Sequence, residues 1–282
     1  MNKIALVTDS SCDLSQDVII DNEINVVPLR ITYSNCEHRD GIDITPQEVY
    51  ERLSEEVPKT SMPSIGDFLE KFNELKNNGY THCIVITISS GLSGTYNAVK
   101  VLSRDISDMT IEVIDSKTLS MGLGFIVLEA AKMIKKNMSF NEIIDRINFL
   151  KAKVKAFFII DTLEYLKKGG RIGKVAATLG TVLNIKPIIS IDEEGKYYSY
   201  SKVRGKRQAI EKMLEALLHQ VENTRAHVAI LQGMAHEEAH AFAEKIKSLR
   251  NIGTICIRQI TPSLAVHTGT GLLGIVFYPA EY

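Results

Sequence analysis

The stretch Ile86-Thr87-Ile88-Ser89-Ser90-Gly91-Leu92-Ser93-Gly94-Thr95-Tyr96-Asn97 decides the fold class. It closes an uncharged apolar run over residues 83–88, of the kind that suits a parallel strand covered on both faces. A Ser/Gly-rich turn follows, and the spacing predicts a helix starting near Ser93. Buried strand, tight turn and helix together make a βα unit. The first N–H groups of a helix lack intrahelical partners, and the macrodipole adds partial positive charge there. With hydroxyls beside it, such a turn is a socket for a phosphate or carboxylate. The same residues equally suit an ordinary capped helix start.

The pattern repeats on both sides of this unit. Short apolar runs predict strands over residues 4–7, 26–31 and 111–114. Helix starts lie between them. Thr45-Pro46-Gln47-Glu48 combines an N-cap, a Pro at the first helical position and a capping-box Glu. Ser64 caps a helix through Phe68, Leu69, Phe72 and Leu75 that ends near Asn77-Asn78-Gly79, and Ser139 with Glu142 forms a second capping box. Beyond residue 155 the pattern changes. Strands are expected over 156–160, 186–191 and 196–200, the last two flanking the hairpin signal Asp192-Glu193-Glu194-Gly195. Strands over 227–231, 254–260 and 274–278 and a helix over 236–249 follow. The expected architecture is α/β in two domains. Residues 1–155 form a three-layer α/β/α unit on a parallel sheet, carrying the ligand loops, and residues 156–282 form an α/β unit on a mixed sheet.

Composition narrows the function classes. The chain has 282 residues, 33 Lys+Arg against 34 Asp+Glu, and a formal net charge of −1, which argues against a nucleic-acid partner. Its 45% hydrophobic and 24% charged residues are those of a folded globular chain. Cys12, Cys36, Cys83 and Cys256 form no C-x-x-C pair and read as free thiols of a reducing cytosol. The opening apolar run stops at Thr8-Asp9, too soon for a signal segment, and no window reaches the roughly 18 apolar residues of a membrane span. A cytoplasmic protein without stable membrane insertion is expected.

Several motifs admit two readings. Thr60-Ser61-Met62-Pro63-Ser64 is a second hydroxyl cluster before a helix, either an N-cap or part of a ligand site at the carboxyl ends of the strands. Lys167-Lys168-Gly169-Gly170-Arg171-Ile172-Gly173-Lys174 lacks the spacing of a P-loop; it reads as a helix C-cap, or as a presentation of Arg171 to a ligand or partner. His267-Thr268-Gly269-Thr270-Gly271 precedes a strand instead of a helix, so its G-x-G-x-x-G is no dinucleotide fingerprint, and His267 is a candidate donor. His236-Glu237-Glu238-Ala239-His240 matches H-E-x-x-H without a third ligand, and no metal site is expected. Ser93 with His267 would supply a hydrolase pair, but no orienting acid is identifiable. Lys202, Arg204, Lys206 and Arg207 read as a solvated loop or a docking surface.

Taken in order, these residues resemble the DegV family, which includes the fatty-acid-binding FakB proteins. The resemblance runs nearly end to end. It rests on Thr8-Asp9-Ser10-Ser11-Cys12-Asp13-Leu14, Val27-Pro28-Leu29, the Thr60–Ser64 and Ser89–Tyr96 stretches, Ile114-Asp115-Ser116, Leu166-Lys167-Lys168-Gly169-Gly170-Arg171-Ile172 and His267-Thr268-Gly269. It implies a carrier without catalytic residues, cofactor or metal, whose ligand is one long-chain fatty acid held between or beneath two α/β domains. It places the carboxylate at Thr60 or Ser61, Ser93 with Gly94, and His267. It gives Arg171 a part in presenting the acid to a separate ATP-dependent, dihydroxyacetone-kinase-like fatty acid kinase. Met62 stands where the family usually has Gln, and Thr270 where Pro is common. Two other classes remain as alternatives: a serine esterase using Ser93 and His267, and a phosphate or nucleotide enzyme using the Ser/Gly turns.

Overall fold

In the computed structural model, residues 3–178, 185–222 and 224–281 are described. The first part of the chain runs β1 (Ile4–Asp9), α1 (Gln16–Asp21), β2 (Ile24–Val27), β3 (Arg30–Thr32), β4 (Glu37–Arg39), α2 (Pro46–Arg52), β5 (Lys59–Ser61), α3 (Ile65–Asn77), β6 (His82–Thr87), α4 (Thr95–Leu102), β7 (Thr110–Asp115), α5 (Met121–Lys135) and α6 (Phe140–Lys151). The second part runs β8 (Lys155–Ile159), α7 (Glu164–Lys168), β9 (Ile185–Ile191), β10 (Tyr197–Arg204), α8 (Gly205–Val221), β11 (Ala226–Gly233), α9 (His236–Lys247), β12 (Ile252–Gln259), α10 (Pro262–Thr268) and β13 (Leu272–Pro279).

Period-two alternation within buried strands builds the first sheet, ordered β2-β1-β6-β7 with every pair parallel. Ala5, Val7 and Val85 point to one face, where they pack with Phe68 and Phe72 of α3 and Val99 of α4. Leu6, Ile84 and Ile86 point to the other, against Leu123 and Ile126 of α5 and Ile143 and Ile147 of α6. This is the three-layer α/β/α arrangement expected from the continuous apolar runs. The capping boxes at Thr45/Glu48 and Ser139/Glu142 form as read, and Ser64 forms a further one with Asp67.

One expected strand divides. Residues 26–31 are split between β2 and β3, which belong to different sheets. Pro28 lies at the break, and it has no N–H to donate to a ladder. Beyond it the chain enters a small antiparallel sheet, β4-β3-β5, whose register sets Ile31 opposite both His38 and Thr60.

The second sheet is ordered β10-β9-β8-β13-β11-β12. It is mixed: β11 and β12 run parallel, and its other neighbouring pairs are antiparallel. Phe157, Ile159, Val228, Ile230, Ile275 and Phe277 bury its outer face under Ala209, Met213 and Leu217 of α8 and Phe242 and Ile246 of α9. Its inner face, with Phe158, Ile189, Leu231 and Val276, belongs to the same apolar cluster as α5 and α6. The two sheets therefore share one core, and a cavity lies within it.

The basic cluster is not a loop. Lys202 and Arg204 lie in β10, and Lys206 and Arg207 open α8, where they pair with Glu238 and Glu211. His236 and His240 are exposed at the start of α9, and among the described residues no group of His, Cys, Asp and Glu is placed to hold a metal. No helix among them is long and apolar enough to cross a membrane.

The β9–β10 hairpin tip docks on the Ser/Gly turn. Ser89 Oγ donates to the Gly195 carbonyl at 2.8 Å, and a Cβ on Gly91 would sit 2.6 Å from that oxygen. Gly91 thus serves the contact between sheets. Gly91→Ala should destabilise the protein by about 1–3 kcal/mol through overpacking, read as a lower urea midpoint. An unchanged midpoint would show that the hairpin does not depend on this contact.

Candidate functional site

The elements bring hydroxyls, an imidazole and a guanidinium to one cavity in the shared core. β5 carries Thr60 and Ser61, the turn after β6 carries Ser93, α10 carries His267, and the chain after α7 carries Arg171; all five line one cavity. The remaining wall is mostly apolar, with Leu92, Leu119, Phe158, Leu231, Leu264 and Val276 among its residues. About 820 Å³ of non-atom space lies among these residues, open solvent included. The Tyr197 ring meets Phe158 edge-on at 5.3 Å, which stiffens one wall.

Thr60 Oγ1 and His267 Nε2 are 2.7 Å apart, although 207 positions separate them in sequence. This bond joins the small sheet to α10 across the two parts of the chain. His267 Nδ1 is buried without a hydrogen-bond partner and lies against Gly169, where a Cβ would approach it to 2.1 Å. Gly169, the C-cap of α7, thus leaves room for the ring. Arg171 Nε donates to the Leu92 carbonyl at 3.2 Å and Nη1 to the Gly169 carbonyl at 2.7 Å. These bonds hold Arg171 beside the Ser93 turn. Ser93 Oγ and Thr95 Oγ1 share a bond of 2.8 Å, and Ser61 is exposed at the mouth.

Two details differ from the expected socket. α4 begins at Thr95 with Gly94 as its N-cap, so Ser93 stands just outside the helix. Gly94 is exposed and does not line the cavity; a Cβ there would instead meet Met62 Sδ at 3.5 Å. Met62 is likewise outside the cavity lining.

Electrostatics favour an anion here. Burial, and then the Arg171 guanidinium, push the His267 pKa down to about 3, so the ring is neutral near pH 7. No carboxylate among the described residues forms an ion pair with Arg171, whose Nε and Nη1 donate to backbone carbonyls. A guanidinium that lines an apolar cavity without such an ion pair attracts an anion. A hydrolase arrangement is not assembled. His267 Nε2 is taken by Thr60, Ser93 bonds Thr95, and no acid meets Nδ1.

Sequence reasoning missed Ser120, Tyr197, Ile260 and Ser263, which also line the cavity. The element carrying Ser263 and His267 had a readable signal: Thr261-Pro262 is an N-cap followed by Pro at the first helical position.

Comparison with known proteins gives a consistent picture. Residues 3–280 match the family model described as "Uncharacterised protein, DegV family". A DegV domain-containing protein of Clostridium acetobutylicum is 44% identical over 277 residues, 98% of this chain and 99% of that protein. Among solved structures, a fatty-acid-binding DegV family protein of Thermus thermophilus superposes with a TM-score of 0.93 at 30% identity, covering 98% of this chain and 99% of that one. A stearic-acid-binding protein of Eubacterium ventriosum superposes with a TM-score of 0.87 at 30% identity, covering 99% of this chain and 98% of that one.

The depressed His267 pKa makes a direct prediction. An unfolded His takes a proton near pH 6.5, whereas the folded ring resists until about 3. Acidification between those values therefore costs stability through this group. In lipid-free protein, ¹⁵N imidazole spectra should keep His267 neutral from pH 8 to pH 5. A midpoint between 6 and 7 would mean that the ring is solvated.

Proposed function

The chain belongs to the DegV family, and from that premise we propose that it is a cytoplasmic carrier of one long-chain fatty acid. The observation that carries the reading is the cavity itself, whose mostly apolar lining includes Arg171, which forms no ion pair among the described residues, neutral His267 and the hydroxyls of Thr60, Ser61 and Ser93. The tail lies along Leu119, Phe158, Leu231 and Val276. Thr60, Ser61, Ser93 and His267 hold the carboxylate, and Gly94 adjoins them through Ser93. The division of the chain at residue 155 is part of the same proposal: the first unit supplies the hydroxyl loops, and the second supplies His267, Arg171 and the cavity's sheet wall.

The energetics divide in the same way. A sixteen-carbon tail gains about 12 kcal/mol gross, at roughly 0.8 kcal/mol per buried CH₂. Ordering the chain and losing translational freedom consume part of this. A hydrogen bond to a charged head group adds only about 1.5–3 kcal/mol. Retention therefore comes from the tail, and the polar residues fix where the carboxylate oxygens point.

That separation suits a carrier that presents its ligand. A separate ATP-dependent fatty acid kinase would transfer a phosphoryl group to a carboxylate oxygen, giving an acyl phosphate and ADP, with Arg171 at the handover. The chain itself would perform no catalysis. The basic region over 202–207, with Arg207 exposed, is a candidate docking surface for that kinase.

Native mass spectrometry of freshly purified protein, followed by lipid extraction, should find one fatty acid per chain. Its repeated absence would falsify the carrier assignment. Ser93→Ala should lower acyl-phosphate formation by the partner kinase at least about tenfold, the equivalent of 1.4 kcal/mol, while the bound lipid is largely retained. Equal loss of both would refute the division between head and tail.

A further inference from the structure

Asp9, Asp13 and Asp40 are buried, and hydroxyl and backbone N–H groups satisfy their carboxylates. Each of them pins a segment that reaches the cavity. Asp9 Oδ2 accepts from the Ile88 N–H at 2.7 Å, at the start of the turn that leads to Ser93. Asp13 accepts from Ser120 Oγ and, at 2.8 Å, from the Thr261 N–H. Asp40 Oδ1 accepts from the Ser263 N–H at 2.8 Å, and its Oδ2 accepts from Ser263 Oγ and Ser10 Oγ, each at 2.6 Å.

Two of these carboxylates meet the same helix end. Thr261 is the N-cap of α10, yet its own side chain makes no capping bond. Asp13 and Asp40, from the first forty residues, supply the acceptors instead. Negative charge is favourable at a helix N-terminus. α10 has seven residues, too few to hold itself as a helix, so its placement depends on what grips its ends. His267 lies four positions after Ser263, on the same helical face and roughly 6 Å further along the axis. Gripping Ser263 therefore sets where His267 meets Thr60.

We propose that Asp40, together with Asp13, is a positioning residue of the head-group site: the two carboxylates cap α10 across the chain and hold His267 in register with Thr60. Neither touches the ligand in this scheme. The inference rests on the fatty-acid reading for what the site receives, and it goes beyond that reading in assigning what aims it.

The test compares one acid with an alcohol of the same length. Palmitate and hexadecanol are titrated against lipid-free wild type, D40A, D40N and D13A by displacement of a common fluorescent probe. Wild type should prefer the acid. D40A should cut acid affinity at least about tenfold and change alcohol affinity less than about threefold. D40N, which keeps an acceptor for the Ser263 N–H, should recover most of the preference. A merely structural role would lower acid and alcohol together, and that outcome, or an unchanged acid affinity, overturns the proposal. Should D40A or D13A fail to fold, S263A carries the same readout, since it removes the Oγ donor and leaves the backbone bond; its acid-over-alcohol ratio should fall by a smaller factor, and an unaltered ratio counts against the proposal. A wild type without any preference for the acid would instead sink the carboxylate reading, so the two failures are separable.

Discussion

The hydrogen bond between Thr60 and His267 is the constraint around which the site is organised. It lies in the wall of a mostly apolar cavity, where a donor or acceptor without a partner is costly. It also joins residues 207 positions apart, so it exists only if the small antiparallel sheet and α10 are both placed to within a few tenths of an ångström. β5 is fixed by its pairing with β3, opposite buried Ile31. α10 is fixed by carboxylates at its start and by α7, which approaches the imidazole through Gly169.

The cavity has its position because the second sheet is covered differently on its two faces. Helices α8 and α9 seal the outer face, while the inner face packs into the core of the first unit. Ligand cavities occur preferentially where two such units meet. The gap between them is walled by strand side chains such as Leu231 and Val276, and polar groups enter where loops from both units converge.

Much of this was legible in the sequence, and what was not has identifiable physical causes. Parallel strands announce themselves as unbroken apolar runs, so β1, β6 and β7 were readable to within a residue or two. Capped helices were readable from Thr45, Ser64 and Ser139 because the cap is a local interaction. α5 has no counterpart among the expected elements. It is buried on nearly all sides, which erases the periodic contrast that marks a surface helix. The run through Pro28 misled because apolar content does not reveal a change of sheet. Gly91 illustrates a different limit. A glycine in a turn signals that something approaches closely, but the hairpin tip that does so lies about a hundred residues away in sequence.

The buried aspartates show why a motif can be recognisable long before its purpose is. Thr8-Asp9-Ser10-Ser11-Cys12-Asp13 is one of the stretches that carry the family resemblance. In the fold its acids are buried and accept from Ser11 nearby and from Ile88, Ser120 and Thr261 of other segments. Burial without a cation pushes the Asp13 pKa up to about 7 and that of Asp9 to about 6, and it raises that of Asp40. Keeping them ionised near neutral pH therefore costs folding free energy, and the cost grows as pH rises from the unfolded value near 3.8 through those folded values. A stability-neutral core would use apolar residues or amides at these positions. At these positions a carboxylate gathers several donors from different segments at one point, and amides or aliphatic groups gather fewer.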